Sequence, residues 1–432
     1  MGDVKRWAGL AAGILLLAAS EAAAQEPMPE ATVGLDEAIE LALRAQPAVV
    51  QARGNLSVAR ASQREAIGNW LPSLSGSSSW SRSSTSRFDP ATQRVVDGAG
   101  TSMSAGLSAS LVLFDGFSRL AENRAASADV TSADAERVNQ EFQVVLQTKQ
   151  AFFNALAAAE LVRVSDTRIR RAEEQLKTAK EKLAAGSATR SDTLRSTVEV
   201  GNARLQRLTA ETQLATAEAN LARLIGYDGP VHAVGDSSLY ALAELDTLAL
   251  RAEVLQSAPS VQVAEANEKT AAAQVAVSRA QYFPTVTASY SQTYAGSALD
   301  DLNNSWSARV ALSWPLFNGF TRETNFTRST TSRETAAARA ADARRQVAAQ
   351  LTQHLSALRS AQAQTGIAQA SLAAAEEDLR VVRERYRLGV ATIIEVLTSQ
   401  VTLDQAEVDI VQARLDFLVA RAQLEALLGR EL

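Results

Sequence analysis

The same short segment occurs twice in the chain, and this duplication constrains the fold more than any other feature of the sequence. Residues 113–117 read LFDGF and residues 316–320 read LFNGF. The flanking residues repeat with them, pairing Pro47 with Pro259, Pro72 with Pro284, Gly186 with Gly389 and Gly226 with Gly429. Recurrence of a motif together with its flanks, in the same order, indicates a tandem duplication. Each half of the chain must therefore fold into a similar unit.

The N-terminal residues have the pattern of a secretory signal peptide. Lys5 and Arg6 precede an apolar run at 8–19, and small residues at 22–24 precede Gln25. The apolar core is too short for a membrane-spanning helix, which needs about 20 apolar residues. We therefore assign residues 1–24 to a signal peptide and expect an exported mature chain that starts near Gln25.

The composition argues against several classes of function. The chain has no cysteine, which excludes disulfides and thiolate metal sites. Its net charge of −5 comes without a basic block, so we expect no nucleic-acid partner. The two histidines, His232 and His354, belong to no catalytic or metal-binding pattern. We predict no enzymatic activity, no cofactor and no bound metal.

The spacing of the prolines permits very long helices. No proline lies between Pro90 and Pro230 or after Pro315, and proline interrupts helix interiors. Each copy reads as a helix, two alternating segments, a very long helix and a last helix. The predicted helices are 35–69, 119–185 and 191–225 in the first copy, and 245–281, 321–388 and 392–428 in the second. At about 1.5 Å per residue, the longest helices would reach about 100 Å.

The second long helix carries a heptad repeat. Leu351, Leu358, Leu372, Leu379 and Tyr386 are separated by seven residues or by multiples of seven, with alanines recurring between them. The first long helix has a shorter series of the same kind. Such repeats are typical of closely packed coiled coils. We therefore expect each long helix to pair along its length with the shorter helices of its copy.

Two segments in each copy alternate between apolar and small polar residues, which is the pattern of a β-strand. The predicted strands are about 73–87, 101–114, 285–296 and 305–317. In an exported chain, lengths of about ten to thirteen residues with aromatic residues near the ends fit strands that cross an outer membrane. Four strands are too few to close a barrel, and an open sheet edge cannot lie in lipid. Two or more chains must therefore combine.

The signal peptide, the duplicated helix–hairpin–long helix–helix unit and the Phe-Asx-Gly-Phe segment after each hairpin resemble the TolC family of outer membrane efflux proteins. The resemblance covers both copies. It implies a mainly α fold with a β-barrel contribution, in which three chains of four strands each form a 12-stranded barrel in outer membrane lipid over an α-helical periplasmic tunnel. On this resemblance, residues 25–226 and 245–432 are two structural repeats, and residues 227–244 are an equatorial segment between them.

The resemblance also implies a function and partners. The homotrimer would be a passive exit duct that opens at its periplasmic tips when it docks to a periplasmic adaptor (membrane fusion) protein and an inner-membrane pump. Efflux and type I secretion both remain open, as do the exported substrate and the resting state. The alternative from another class is a secreted coiled-coil structural or adhesive protein, and duplicated strands of membrane length argue against it.

By the same resemblance, Gly186 and Gly389 lie at the tips of two helical hairpins. The tips are near 186–192 and 389–395. Glu395 takes the place of an acidic residue that forms a ring around the entrance of family members, and Asp192 holds the equivalent place in the first copy. Rings of carboxylates in a narrow passage favour cations. The alternative is that both are ordinary acidic residues at helix N-termini, where the helix dipole favours them.

Tyr386 matches a tip tyrosine that helps to hold the entrance of family members shut; the alternative is that it only completes the heptad seam. Two positions depart from the family pattern. Ala391 stands where the compared member has an arginine, and Thr398 stands where it has a second acidic ring residue. The contacts of the closed state must therefore differ, and we expect Arg190 or Arg387 to replace the missing arginine.

Overall fold

The computed structural model describes residues 31–91, 93–235 and 247–432, so the expected signal peptide and residues 236–244 of the segment between the repeats lie outside the described residues. The elements are, in chain order, β1 (Ala31–Val33), α1 (Leu35–Ala45), α2 (Pro47–Gly68), β2 (Ser73–Asp89), β3 (Arg94–Phe114), α3 (Ser118–Ala184), α4 (Arg190–Ile225), β4 (Val231–Ala233), α5 (Thr247–Ser257), α6 (Pro259–Ala280), β5 (Thr285–Gly296), β6 (Asn303–Ser313), α7 (Thr321–Arg387) and α8 (Ile393–Leu428). Both halves contain short helices, a hairpin, a long helix and a last helix.

The first helix of each copy, expected to be continuous, is broken in two. Gln46 separates α1 from α2, and Ala258 separates α5 from α6. Both have extended ψ values of 124° because a following proline disfavours the helical conformation of the residue before it. Pro47 and Pro259 then begin the next helix, where a missing N–H is tolerated.

The long helices α3 and α7 have 67 residues each, which corresponds to about 100 Å. Helix α3 packs along α4 and also contacts α2, α6 and α8, while α7 packs along α8 and α6. The central position of α3 therefore joins the two copies. The predicted heptad seam is buried: Leu351 and Tyr386 are 1% and 5% exposed.

The hairpins form one antiparallel sheet in the order β2-β3-β5-β6. The strands have 17, 21, 12 and 11 residues, so the first hairpin is longer than expected. Its extra length comes from residues 94–100, which pair with 83–89 although they do not alternate. Strand β6 ends at Ser313 rather than at 317, because Pro315 follows and cannot donate a ladder hydrogen bond.

The two faces of this sheet differ in chemistry. One face carries hydroxyl groups that hydrogen-bond across strands, in the pairs Ser75–Ser108 (2.7 Å), Ser79–Ser104 (2.8 Å) and Ser291–Ser307 (2.9 Å). The other face presents large apolar side chains, among them Trp80, Trp306 and Val310, which are 64%, 69% and 70% exposed. A contiguous apolar face of this kind marks a surface that contacts lipid or another chain.

A small parallel sheet that no sequence pattern predicts joins β1 to β4. It places the segment between the repeats beside the start of the described chain, and Val33 and Val231 are buried in the main core. Among the described helices, none has the length and apolar character that crossing a membrane requires.

Candidate functional site

Both long helices end in the same glycine motif, which builds the two tips. Gly186 and Gly389 have φ values of 74° and 84°. The N–H groups of Ser187 and Val390 then donate to the carbonyls of Lys182 and Arg385 at 2.8 and 2.9 Å. This is the Schellman arrangement, in which a residue with positive φ reverses the chain and satisfies the last carbonyls of the helix.

The helices that leave the tips begin with matching capping boxes. The backbone N–H of Thr189 donates to Asp192, and the N–H of Thr392 donates to Glu395, both at 2.9 Å. The threonine hydroxyls accept from the N–H groups of the same acidic residues at 3.3 Å. Asp192 and Glu395 are therefore capping carboxylates at helix N-termini, and Glu395 is also exposed at the tip.

The electrostatics of Glu395 favour its charged form. Hydrogen bonds from the backbone N–H and then the hydroxyl of Thr392 lower the pKa of the Glu395 carboxyl below its usual 4.5. A carboxylate that accepts such bonds holds its charge more firmly than a free one. Glu395 is therefore negative at neutral pH.

Tyr386 connects the two tips of one chain. Its ring is buried, and the Lys182 Nζ lies 4.5 Å from the ring centroid. The same ammonium group donates to the backbone carbonyl of Tyr386. Burial and then the charge of Asp192 raise the pKa of the Tyr386 hydroxyl above 10.0, and this hydroxyl has no hydrogen-bond partner among the described residues.

The two arginines proposed to replace the family arginine do not join the tips within one chain. Arg387 pairs at 2.6 Å with Glu384 on its own helix, and both side chains are exposed. Arg190 is exposed at the start of α4 and has no ion pair in the described part of the chain. Ala391 packs against the apolar tip core, a buried cluster that includes Leu379, Val382, Ile393 and Val396. The Thr398 hydroxyl donates to a carbonyl of its own helix.

A buried ion network holds α3 against α8 above the tips. Asp404 accepts from Arg171 at 2.8 Å and pairs with Arg168 at 2.9 Å. Arg171 also pairs with Glu407, and Arg168 with Glu199 on α4. Burial raises the pKa of Asp404 above its usual 3.8, although the charges of Arg168 and Arg171 act in the opposite direction.

A polar cavity of about 370 Å³ adjoins this network between α3, α7 and α8. Gln175, Arg383 and Tyr386 line it, and each has a buried polar atom without a partner among the described residues. Buried polar atoms of this kind are costly when unsatisfied. The cavity has room for ordered water molecules, which would satisfy these atoms.

Sequence patterns miss Lys182 and the ion network. The only signal for Lys182 is a basic residue in the last turn of a long helix, which the helix dipole favours anyway. Within the described ranges, no group of His, Asp and Glu could hold a metal ion.

The family model of the outer membrane efflux protein matches residues 38–227 and 250–430, one match in each copy. The pyoverdine export outer membrane protein OpmQ of Pseudomonas aeruginosa is 29% identical over 331 residues, which cover 76% of this chain and 70% of that protein. The outer membrane efflux protein BepC of Brucella suis is 25% identical over 380 residues, which cover 87% of this chain and 79% of that protein.

Solved structures show the same fold. The outer membrane protein VceC of Vibrio cholerae aligns with a TM-score of 0.76 at 20% identity, over 92% of this chain and 96% of that chain. The open state of the MtrE outer membrane channel of Neisseria gonorrhoeae aligns with a TM-score of 0.75 at 21% identity, over 92% of this chain and 89% of that chain.

The fold and the family match together define an outer membrane efflux channel. The chain belongs to the outer membrane efflux protein family. The predicted family, the fold class and the location in the outer membrane with a periplasmic helical part are thereby confirmed.

Proposed function

We propose that three copies of the chain form a passive exit duct, which opens at its helical tips when it docks to a periplasmic adaptor and an inner-membrane pump. The sheet carries this proposal. Its outer strands, β2 and β6, each have one neighbour among the described strands. An open edge cannot lie in lipid, and three sheets of four strands supply an even number large enough for a barrel.

The direction of the edge strands supports closure between copies. Strand β2 leads away from α2, and β6 returns toward α7. The β6 edge of one copy can therefore pair with the β2 edge of the next in the antiparallel manner of outer-membrane barrels. The serine face then lines the lumen, and the tryptophan face contacts lipid.

The tips serve as the gate in this proposal. Three copies place three Glu395 carboxylates around one narrow entrance, where they favour cations. Within one copy, the Lys182 ammonium group contacts Tyr386 and holds the two tips together. This contact lies near Ala391, the position where the compared family member has an arginine. Arg190, exposed at the start of α4, is the candidate for a contact between copies, and Arg387 for a contact with the adaptor.

Relatives favour efflux of small molecules as the transport mode. OpmQ is named for pyoverdine export and BepC for efflux. Type I protein secretion is the other mode of the same duct. Deletion of the gene separates the two, since loss of efflux raises the internal concentration of small toxic compounds, whereas loss of secretion removes a protein from the medium.

The duct is tested with protein purified from outer membranes. We expect a trimeric mass in detergent and small, cation-selective single-channel currents in planar bilayers. Glu395→Ala should reduce the cation selectivity. Glu37→Ala is the matched control, because Glu37 is also exposed and is also the third residue of its helix, away from the tips. A water-soluble monomer without channel activity would return the coiled-coil structural protein to first place.

A further inference from the structure

Where all four strands run side by side, the hydroxyl face of the sheet carries one charged side chain. At 73–83, 100–110, 285–295 and 303–313, the positions on this face are serine, threonine, glycine, alanine or asparagine, except for Arg309. Arg309 lies opposite Ser289, whose neighbour on β3 is Ser110. The Arg309 side chain is exposed and makes no ion pair with any described residue. Its charge is therefore not neutralised within the sheet.

The alternation of β6 fixes the side to which Arg309 points. Its neighbours on the opposite face include Val310 and Leu312, which are 70% and 69% exposed. An arginine facing lipid at mid-depth is strongly destabilising, whereas lumen positions tolerate charge. Trp306 and Trp314 bracket Arg309 along the strand, about 27 Å apart at 3.4 Å per residue. For a strand tilted by about 40° this is about 21 Å of height, which fits within an apolar band about 25 Å tall, so Arg309 lies near mid-depth.

We infer that three Arg309 side chains form a cationic ring in the barrel lumen, which makes this part of the duct favour small organic anions such as carboxylates. The inference rests on the proposed trimeric duct. A guanidinium group stays protonated at any physiological pH, and arginine rings select anions in pores. The ring is thus opposite in sign to the Glu395 carboxylates at the tips, and anionic cargo that passes the tips would be drawn on into the barrel.

Coulomb's law gives the size of the effect. For three charges about 10 Å from the axis of an aqueous lumen, a monovalent anion should be enriched about twofold at 0.1 M salt and a monovalent cation depleted about twofold. The local anion-to-cation ratio should therefore change about fivefold at 0.1 M salt and about twentyfold at 0.01 M. Because the tips lie in series with the barrel, channel currents report mainly on the tips. A local probe is therefore needed.

Single cysteines provide that probe, since the chain has none of its own. Ser307→Cys lies on the same face as Arg309 and two residues away. In the purified trimer, we measure how fast this cysteine reacts with two methanethiosulfonate reagents. One reagent carries an anionic sulfonate group and the other carries a cationic ammonium group. We expect Arg309→Ser to lower the anionic-to-cationic rate ratio by the factors above, and Arg309→Lys to preserve it. Arg309→Gln replaces the serine variant if that variant does not assemble.

Ser102→Cys is the matched control, because Ser102 shares this face but lies on β3, two strands from Arg309. It is also eight residues along β3 from Ser110, which is level with Ser289 and Arg309. Its rate ratio should not respond to Arg309→Ser. An unchanged ratio at Ser307→Cys in a conducting trimer would overturn the arginine ring and leave the duct intact. A non-conducting monomer, or labelling of Val310→Cys as fast as Ser307→Cys, would overturn the duct and the ring with it.

Discussion

Lys182 joins the two tips of one chain through two contacts, one with the ring and one with the backbone carbonyl of Tyr386, and in the proposed duct these contacts would favour the closed state. Removing a partly exposed cation–π contact and a charge-assisted hydrogen bond should cost about 1–2 kcal/mol in each chain. We expect Lys182→Met to raise the open probability in planar bilayers several-fold. Lys180→Met is the control, since Lys180 is exposed two residues away. Equal open probabilities in the two variants would contradict this role.

Residue-level prediction from the sequence succeeds where local chemistry decides. Asp192 and Glu395 lie at helix N-termini as the sequence indicates, and the burial of Tyr386 follows from the heptad repeat. The capping threonine three positions before each carboxylate could also have been predicted. The contact between Lys182 and Tyr386 joins residues 204 apart in the chain. It depends on how two coiled coils lie side by side, which no periodicity within either helix encodes.

The joints between sheet and long helices give a test at the scale of elements. Gly116 and Gly319 occupy equivalent places in the duplicated motif, with φ values of 66° and 64°. A Cβ on Gly116 would lie 2.4 Å from the Cβ of Phe283 and 2.9 Å from the carbonyl oxygen of Ala280. The same point at Gly319 has no neighbour within 4 Å among the described residues of the chain. The duplicated motif therefore has unequal packing in its two copies.

We expect Gly319→Ala to cost about 1 kcal/mol through backbone strain alone. Gly116→Ala should cost that strain and about 1–3 kcal/mol more, because the Cβ of Phe283 and the backbone carbonyl of Ala280 must shift. The measurement is the melting temperature and the yield of trimer in the outer membrane for both variants. Equal losses would show that the two joints are packed alike.

The ion network between α3 and α8 gives a second test at this scale. Arg171→Met leaves the buried Asp404 and the partly buried Glu407 without their shared cation, which should cost on the order of 3 kcal/mol per chain. We expect a lower melting temperature and faster proteolysis near the tips. Arg170→Met is the control, because Arg170 is exposed and its hydrogen bond is to Thr167 on its own helix.

The loss in Arg171→Met should depend on pH. Burial already raises the pKa of Asp404 in the folded protein, and removing Arg171 raises it further. When the pKa of a carboxyl is higher in the folded protein than in the unfolded chain, the protonated carboxyl stabilises the fold at low pH. This contribution to the free energy of unfolding is lost as the pH rises through the folded pKa. The variant should therefore be closer to the parent at pH 5 than at pH 8, and the reverse order would contradict burial of the carboxylate.

Element types and order are predictable from the sequence, whereas their breaks and ends depend on single residues. Period-two and heptad patterns predict the hairpins and the long helices. The breaks before Pro47 and Pro259 follow from proline stereochemistry and could have been predicted. The extra length of the first hairpin could not, because residues 94–100 are held by pairing with β2 rather than by a pattern of their own.

At the scale of the whole molecule, closure of the sheet is the step on which the duct depends. The described chain presents an apolar sheet face and two edge strands, β2 and β6, which no other described strand covers. Both features are satisfied together if neighbouring copies pair β6 with β2. The proposed Glu395 and Arg309 rings depend on that same closure, since each needs three copies around one axis.

Closure is tested with pairs of cysteines in the otherwise cysteine-free chain. Ser307 on β6 is combined in turn with Ser75, Ser77 and Ser79 on β2, because the register between copies determines which of them faces Ser307. Mild oxidation should yield covalent dimers and trimers, and no larger species, for at least one pair. The control combines Ser307 with Ser104 on β3, which has strands on both sides and should give no cross-link between copies. A ladder that continues beyond three chains would show open-ended association of the sheets instead of a closed trimeric barrel.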